Sequence, residues 1–85
     1  MSYDLRLTTL AAKQFNDLMQ DEETYELLME RIIRLKQEPW DAWLIRPKNG
    51  LEYREVQFGT HGLLDFHVNE EAQTLIILNI TWLAW

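Results

Sequence analysis

The sequence contains no cysteine, which removes several classes of site at once. Disulfide frameworks, thiolate zinc sites and cysteine nucleophiles all need that side chain, and its absence fits a reducing compartment. No apolar run approaches the roughly 18 residues that a membrane span requires. Residues 1–7 also lack the basic flank and apolar core of a secretory signal. We therefore expect a cytoplasmic protein without a membrane partner.

Positive charge is missing from the final part of the chain. All eight lysines and arginines lie at or before Arg54, and fourteen acidic residues give a formal net charge of −6. A protein that holds nucleic acid by itself needs a basic surface, because counterion release from the phosphates dominates that affinity. The composition therefore argues against autonomous DNA binding.

What is present indicates one folded domain over residues 1–85. The chain is 47% hydrophobic and 26% charged, which is ordinary for a folded protein and unlike a disordered one. A length of 85 residues leaves room for a single core.

The first half of the chain predicts a strand and two helices. Residues 2–7 alternate apolar and polar side chains at the period of a strand. Thr8 or Thr9 is a suitable N-cap for a first helix, and Asp21 for a second that ends near Gln37, before a proline. The predicted apolar stripes are Ala11, Phe15, Leu18 and Met19, then Tyr25, Leu28, Met29, Ile32 and Leu35.

Residues 53–82 predict three consecutive antiparallel strands. One face of these strands is apolar at a period of two, and turn-forming residues separate them. Residues 40–45 are left open as a short edge strand. The fold class is α+β, with the order β-α-α-β-β-β(-β) and an αα-hairpin on one face of an antiparallel sheet. The predicted core face holds Val56, Phe58, Leu64, Phe66, Val68, Ile76, Leu78, Ile80 and Trp82. The opposite faces hold Glu55, Gln57, Leu63, Asp65, His67, Ile77, Asn79 and Thr81.

Four stretches carry a resemblance to a known family. They are LTTLAAKQF at residues 7–15, IIRLKQEP at residues 32–39, the pair Tyr53-Arg54, and FHVNEE at residues 66–71 before LIILNI. With the order of elements, they resemble the RelE/ParE superfamily of toxins from type II toxin–antitoxin pairs. The resemblance implies a cognate antitoxin as partner, no cofactor, and a toxin that cleaves mRNA on the ribosome or acts on gyrase.

The sequence departs from that family where the resemblance places basic catalytic residues on the sheet and near the end of the chain. The chain therefore resembles a divergent member. The corresponding positions here are Glu55 and Gln57, then Leu63 or Asp65, then Trp82 and Leu83.

Three residues are candidates for RNA cleavage. Attack by a 2′-hydroxyl needs a base, an acid and a cation beside the phosphate. His67 and His61 are candidates because an imidazole can serve as acid or base, and Arg54 is the nearest cation in the sequence, although its parity places it on the core side. The simpler interpretation is a strand histidine and a turn histidine. Glu55, Asp65 and His67 include the usual ligands of a metal, but they come from different strands without dense spacing, so we expect no metal site.

The candidate binding residues form three groups. Arg46 and Lys48, with Arg54, make a basic cluster suited to carboxylates or a few phosphates. Glu55, Gln57 and Asp65 lie on the polar side of the predicted sheet. Trp43 and Trp85 are candidates for an interface, where tryptophan is enriched.

Two further hypotheses stay open beside the toxin. The first is a non-catalytic protein-binding module that retains the toxin scaffold, which the missing cations favour. The second is a homodimer formed through Leu63, Ile77 and the surplus tryptophans.

Overall fold

The computed structural model describes residues 2–46, 50 and 52–83. It contains two helices and five strands in the predicted order. None of the helices in these residues is long and apolar enough to cross a bilayer. The elements are β1 (Asp4–Leu7), α1 (Thr9–Leu18), α2 (Glu22–Gln37), β2 (Trp43–Ile45), β3 (Tyr53–Phe58), β4 (Gly62–Asn69) and β5 (Thr74–Trp82).

All five strands form one sheet in the order β1-β5-β4-β3-β2. The four strands from β2 to β5 are antiparallel neighbours, which was predicted for the last three and left open for residues 40–45. β1 lies beside β5 and runs parallel to it, with Leu5 opposite Leu75 and Leu7 opposite Ile77. The sheet is therefore mixed. Apolar alternation identified β1 as a strand but carries no information about its neighbour.

Side-chain caps start both helices at the predicted residues. The Thr8 hydroxyl accepts from the Ala11 amide at 3.1 Å, and the Asp21 carboxylate accepts from the Thr24 amide at 3.3 Å. Each cap supplies a partner for an amide that the first helical turn leaves unpaired. The predicted stripe of α1 was wrong at one end, because Met19 is 49% exposed at the helix C-terminus.

Both helices pack on one side of the sheet around a single core, so the predicted α+β class is confirmed. The strands provide side chains at alternate positions, and the helices provide one face each. The fully buried cluster comprises Ala11, Leu18, Leu28, Ile32, Leu35, Val56, Phe58, Leu64, Phe66, Leu75, Ile77 and Ile80.

A bulge in β5 overturns part of the predicted core face. Phe66 pairs with Ile77 and Asp65 pairs with Asn79, so Leu78 is an extra residue between two regular stretches. One inserted residue reverses the side to which every earlier side chain points. Ile77 is therefore 1% exposed in the core, not on the outer face or at a dimer surface as predicted. Ile76 lies on the outer face instead.

Gly62 leaves room for the aromatic ring of Phe58 to lie over the neighbouring strand. A Cβ built on Gly62 would lie 2.5–2.6 Å from three ring atoms of Phe58, its cross-strand neighbour. The ring lies over this gap and stacks on Trp82 with centroids 5.7 Å apart and an angle of 27° between planes. The Phe58 ring therefore occupies the space that a side chain at position 62 would need.

Gly62→Ala should lower the free energy of unfolding by about 1–3 kcal/mol, because the methyl group overpacks the Phe58 ring. The same substitution in a Phe58→Leu background should cost clearly less, since the ring is then absent. Urea unfolding of the two single variants and the double variant measures the difference. Equal costs in both backgrounds would contradict this account.

Beyond the end of β1, Thr8 and Gln14 replace a paired strand by forming hydrogen bonds with the edge of β5. The Thr8 amide and hydroxyl donate to the carbonyls of Ile77 and Leu78 at 3.1 and 3.3 Å. The Gln14 amide oxygen accepts from the Ile80 backbone amide at 2.7 Å, and its nitrogen donates to Asn79 Oδ1 at 2.7 Å. Backbone groups that no strand pairs are satisfied in this way.

Gln14→Leu should destabilise the protein by about 1–3 kcal/mol, because it leaves the amide of buried Ile80 without a partner. Gln20→Leu, at an exposed turn between the helices, is the matched control and should have little effect. Thermal or urea unfolding gives both values. Similar losses in the two variants would show that the hydrogen bonds of Gln14 are not the cause.

Candidate functional site

The side of the sheet opposite the helices, here called the open face, gathers the polar strand residues. One row crosses it from Arg6 through Ile76 to His67, each directly paired with the next, and Tyr53 of β3 has the same parity. A second row pairs Trp43 with Glu55, Glu55 with Asp65, and Asp65 with Asn79. The open face therefore combines an imidazole, a guanidinium and two adjacent carboxyl groups.

His67 is held in one tautomer. Its Nδ1 lies 2.8 Å from the Glu52 carbonyl oxygen, which only accepts, so Nδ1 carries the proton when the ring is neutral. Nε2 is then left with a lone pair. Arg6 lies across two strand spacings, about 10 Å from His67 at the usual interstrand distance. The two side chains do not contact each other, and a ligand that contacts both must span about 10 Å.

Glu55 and Asp65, here called the carboxyl pair, face each other across β3 and β4. Like charges directly opposite in a sheet are unfavourable. Burial, followed by the hydrogen bond and the negative charge of Glu55, raises the pKa of Asp65 from its ordinary 3.8 to about 6, and this total includes an opposing effect of Asn79. One oxygen of Asp65, Oδ1, is buried and has no hydrogen-bond partner among the described residues. A proton on Asp65 removes the repulsion between the two carboxyl groups below about pH 6.

A groove of about 550 Å³ runs along the sheet edge next to the open face. It lies between α2 and the β2–β3 edge, with Arg31 and Arg34 on one side and Trp43 and Glu55 on the other. Neither arginine forms an ion pair within the described ranges.

Solved structures provide the decisive comparison. A chain of the toxin–antitoxin complex RelBE2 from Mycobacterium tuberculosis superposes with a TM-score of 0.81 at 20% identity, covering 96% of this chain and 99% of that one. A chain of the archaeal RelE–RelB complex from Pyrococcus horikoshii gives 0.75 at 18% identity, covering 96% of each chain. The fold is that of the RelE toxins. No family model and no curated protein matches the sequence.

The RelE-like fold confirms the predicted family resemblance at the level of architecture. At these identities the likeness extends to the fold and not to individual side chains. The chemistry of the site must therefore be argued from the residues of this chain.

The three candidate residues for cleavage are not brought together on this RelE-like scaffold. His61 lies in the exposed β3–β4 turn, where it contacts Thr60 at 2.8 Å, and it is six residues along β4 from His67, about 20 Å away. Arg54 lies on the helix side, where it donates to the Ala42 carbonyl at 3.2 Å and its guanidinium lies 4.8 Å from the Trp40 ring centroid. Only His67 is on the open face.

The predicted binding residues divide in the same way. Glu55, Gln57 and Asp65 lie on the open face, and Trp43 is 70% exposed beside Glu55. Gln57 donates to the Thr60 carbonyl at 3.2 Å.

The loop cluster is only partly described. Arg46 forms an exposed ion pair with Glu52 at 3.4 Å, an interaction of little energetic weight. Lys48 and Trp85 lie outside the described residues, so their predicted binding roles stay predictions. No group of three histidine or acidic side chains in the described ranges is placed to hold a metal ion.

Sequence reasoning missed Arg6 and Asn79 as members of the site. The alternation of residues 2–7 already put Arg6 opposite the buried leucines of β1. However, only the parallel pairing with β5 places it on the same surface as His67. Asn79 was assigned to the outer side, yet its position beside Asp65 depends on the bulge at Leu78.

The carboxyl pair predicts a pH-dependent stability. Because the folded-state pKa of Asp65 is raised to about 6, the native state holds this proton over a range in which the unfolded state has lost it. Stability from this group should therefore fall as pH rises from about 4 to 6. Asp65→Asn should remove that slope and stabilise the protein at pH 8 by on the order of 1 kcal/mol, reduced because the side chain is partly solvated.

Urea unfolding between pH 4 and 8 measures the slope, and carboxyl NMR measures the titration of Asp65. Asp17→Asn, at an exposed position of α1, makes the same charge change and should keep the slope of the parent protein. An Asp65 that titrates at its ordinary value would contradict the account.

Proposed function

We propose that this protein is the toxin-scaffold member of a toxin–antitoxin pair and binds an antitoxin-like protein. The observation that supports this most directly is the RelE-like fold. The two solved structures described above are complexes: one is a toxin–antitoxin complex and the other a RelE–RelB complex. The coverage extends over nearly the whole length of each chain, so the likeness concerns the complete scaffold and not one motif.

For the action of the toxin, we propose cleavage of mRNA on the ribosome with His67 as the base. His67 Nε2 has a free lone pair because Nδ1 donates to the Glu52 carbonyl, so this nitrogen can accept the proton of an attacking 2′-hydroxyl. Arg6 supplies the nearest open-face cation for phosphate charge. The family resemblance also implies action on gyrase as the alternative. That action does not require His67 or Arg6 in a particular role.

A second function, a non-catalytic protein-binding module on the same scaffold, is favoured by the carboxyl pair. Glu55 and Asp65 lie on β3 and β4, in the row next to the one that contains Arg6 and His67. Their negative charge opposes phosphates, and Arg6 alone compensates for little of it. In this version the open face serves only to bind a partner.

Induced expression in a bacterial host tests the first proposal. We expect growth arrest that is relieved by co-expression of a partner protein from a neighbouring open reading frame, and cleavage of mRNA by purified protein in a ribosome-dependent translation assay. His67→Asn should lower the cleavage rate by at least about 100-fold, the lower end of the range for loss of a general base. The asparagine amide can still donate to the Glu52 carbonyl, so its unfolding curve should match that of the parent protein.

The two histidines distinguish the location of the activity. Loss with His61→Asn and retention with His67→Asn would move the reaction to the β3–β4 turn and overturn the open-face proposal. Unimpaired growth, together with no cleavage by the purified protein, would favour the non-catalytic module. Growth arrest without any cleavage, and with inhibited DNA supercoiling, would point to gyrase.

A further inference from the structure

The charge of the open face suggests the chemistry of its partner. The five strands place three carboxyl groups on this face, from Asp4, Glu55 and Asp65, and one cation, Arg6. Arg54, the other strand cation, lies on the opposite side. No lysine or arginine follows Arg54 in the sequence, so β4 and β5 contain none. The formal net charge of −6 has the same sign as this surface.

Among the described residues no cation forms an ion pair with the carboxyl pair, although Arg31 and Arg34 line the adjoining groove together with Glu55. Asp65 has a buried oxygen with no hydrogen-bond partner in this part of the chain, and the group directly opposite is another carboxyl. The described ion pair, Arg46 with Glu52, lies elsewhere. A positive charge brought within about 4–6 Å would favour the ionised forms of both groups without needing to touch the buried oxygen.

An exposed aromatic side chain extends this acidic surface. Trp43 is directly opposite Glu55 in the β2–β3 ladder and is 70% exposed. Half-buried Leu63 and Ile76 add apolar contact area on the same face. An indole next to a carboxylate suits a lysine or arginine, because the aliphatic stem packs on the ring and the charged end reaches the acid.

We propose that the open face binds a basic segment of a partner protein, whose lysine or arginine side chains neutralise Glu55 and Asp65 and pack on Trp43. The inference rests on the proposed function, since it names the chemistry of the antitoxin-like partner. Charge complementarity selects this occupant. An RNA strand would bring phosphates to the same carboxyl groups, and a twofold contact between two open faces would oppose the carboxyl groups to their own copies.

Binding to synthetic peptides tests this surface directly. The probes are a short peptide of alternating lysine and valine, its counterpart of alternating glutamate and valine, and a single-stranded RNA oligonucleotide. We expect the lysine peptide alone to shift the backbone amide signals of Glu55 and Asp65 and the indole signal of Trp43 in the ¹⁵N NMR spectrum. Added salt should weaken binding, because the attraction is between exposed charges.

Paired variants identify the residues responsible. Glu55→Gln combined with Asp65→Asn should weaken binding of the lysine peptide by about tenfold, and Trp43→Ala by a few fold. Glu26→Gln combined with Glu30→Gln, on the exposed side of α2, changes the net charge equally and should leave the affinity within about twofold. Unfolding curves confirm that each variant is folded before binding is compared.

Each result supports or overturns the inference. If the two double variants weaken binding of the lysine peptide equally, net charge alone explains the effect and the proposal is overturned. NMR shifts confined to α2 would place the binding site outside the open face and also overturn it. So would preference for the glutamate peptide or the RNA. Growth arrest without lysine-peptide binding overturns only this inference. Lysine-peptide binding at Glu55, Asp65 and Trp43 in a protein without toxicity supports it and removes the proposed cleavage.

Discussion

The parallel contact between β1 and β5 is the interaction on which the rest of the structure depends. It turns β5 from an edge strand into an internal one over residues 74–77. It also fixes where the chain leaves the sheet, because Thr8 both donates its backbone amide to β5 and is the N-cap of α1. The helices then start at a defined point and cover one side of the sheet. The other side stays open, with Arg6 carried to it from the far end of the sequence.

Much of this architecture is contained in local patterns. Period-two alternation gave the correct faces for β3 and β4, and the capping side chains of Thr8 and Asp21 marked both helix starts. These signals are local, because a residue and its neighbours along the chain decide them. The bulge at Leu78 is different. It arises from fitting a long strand between β4 and the chain around Thr8, and no residue type in the apolar run marks it, so the first half of β5 was assigned to the wrong side.

From the sequence, only the side of the sheet on which each site residue lies could be predicted. Parity correctly placed Glu55, Asp65 and His67 on the outer side and Arg54 on the inner side. What parity leaves undetermined is register, and register decides that the two carboxyl groups are direct neighbours and not diagonal ones. The raised pKa of Asp65 follows from that neighbour and from burial. A fold shared with RelE toxins and an acidic open face are therefore independent properties, since backbone topology determines one and a few outward side chains the other.

The sealing of β5 by side chains also bears on how the protein avoids aggregation. β5 reads TLIILNITW, nine residues without a charge or a proline, which is the composition that stacks readily into cross-β assemblies when its edge is free. In the folded chain β1 covers one part of that edge, and Thr8 and Gln14 occupy the adjoining backbone groups. The strands left at the two borders of the sheet are β1 and β2, of four and three residues. Such short edge strands offer an incoming strand few hydrogen bonds. The aggregation-prone segment, β5, is therefore protected from pairing with other molecules while the protein remains folded.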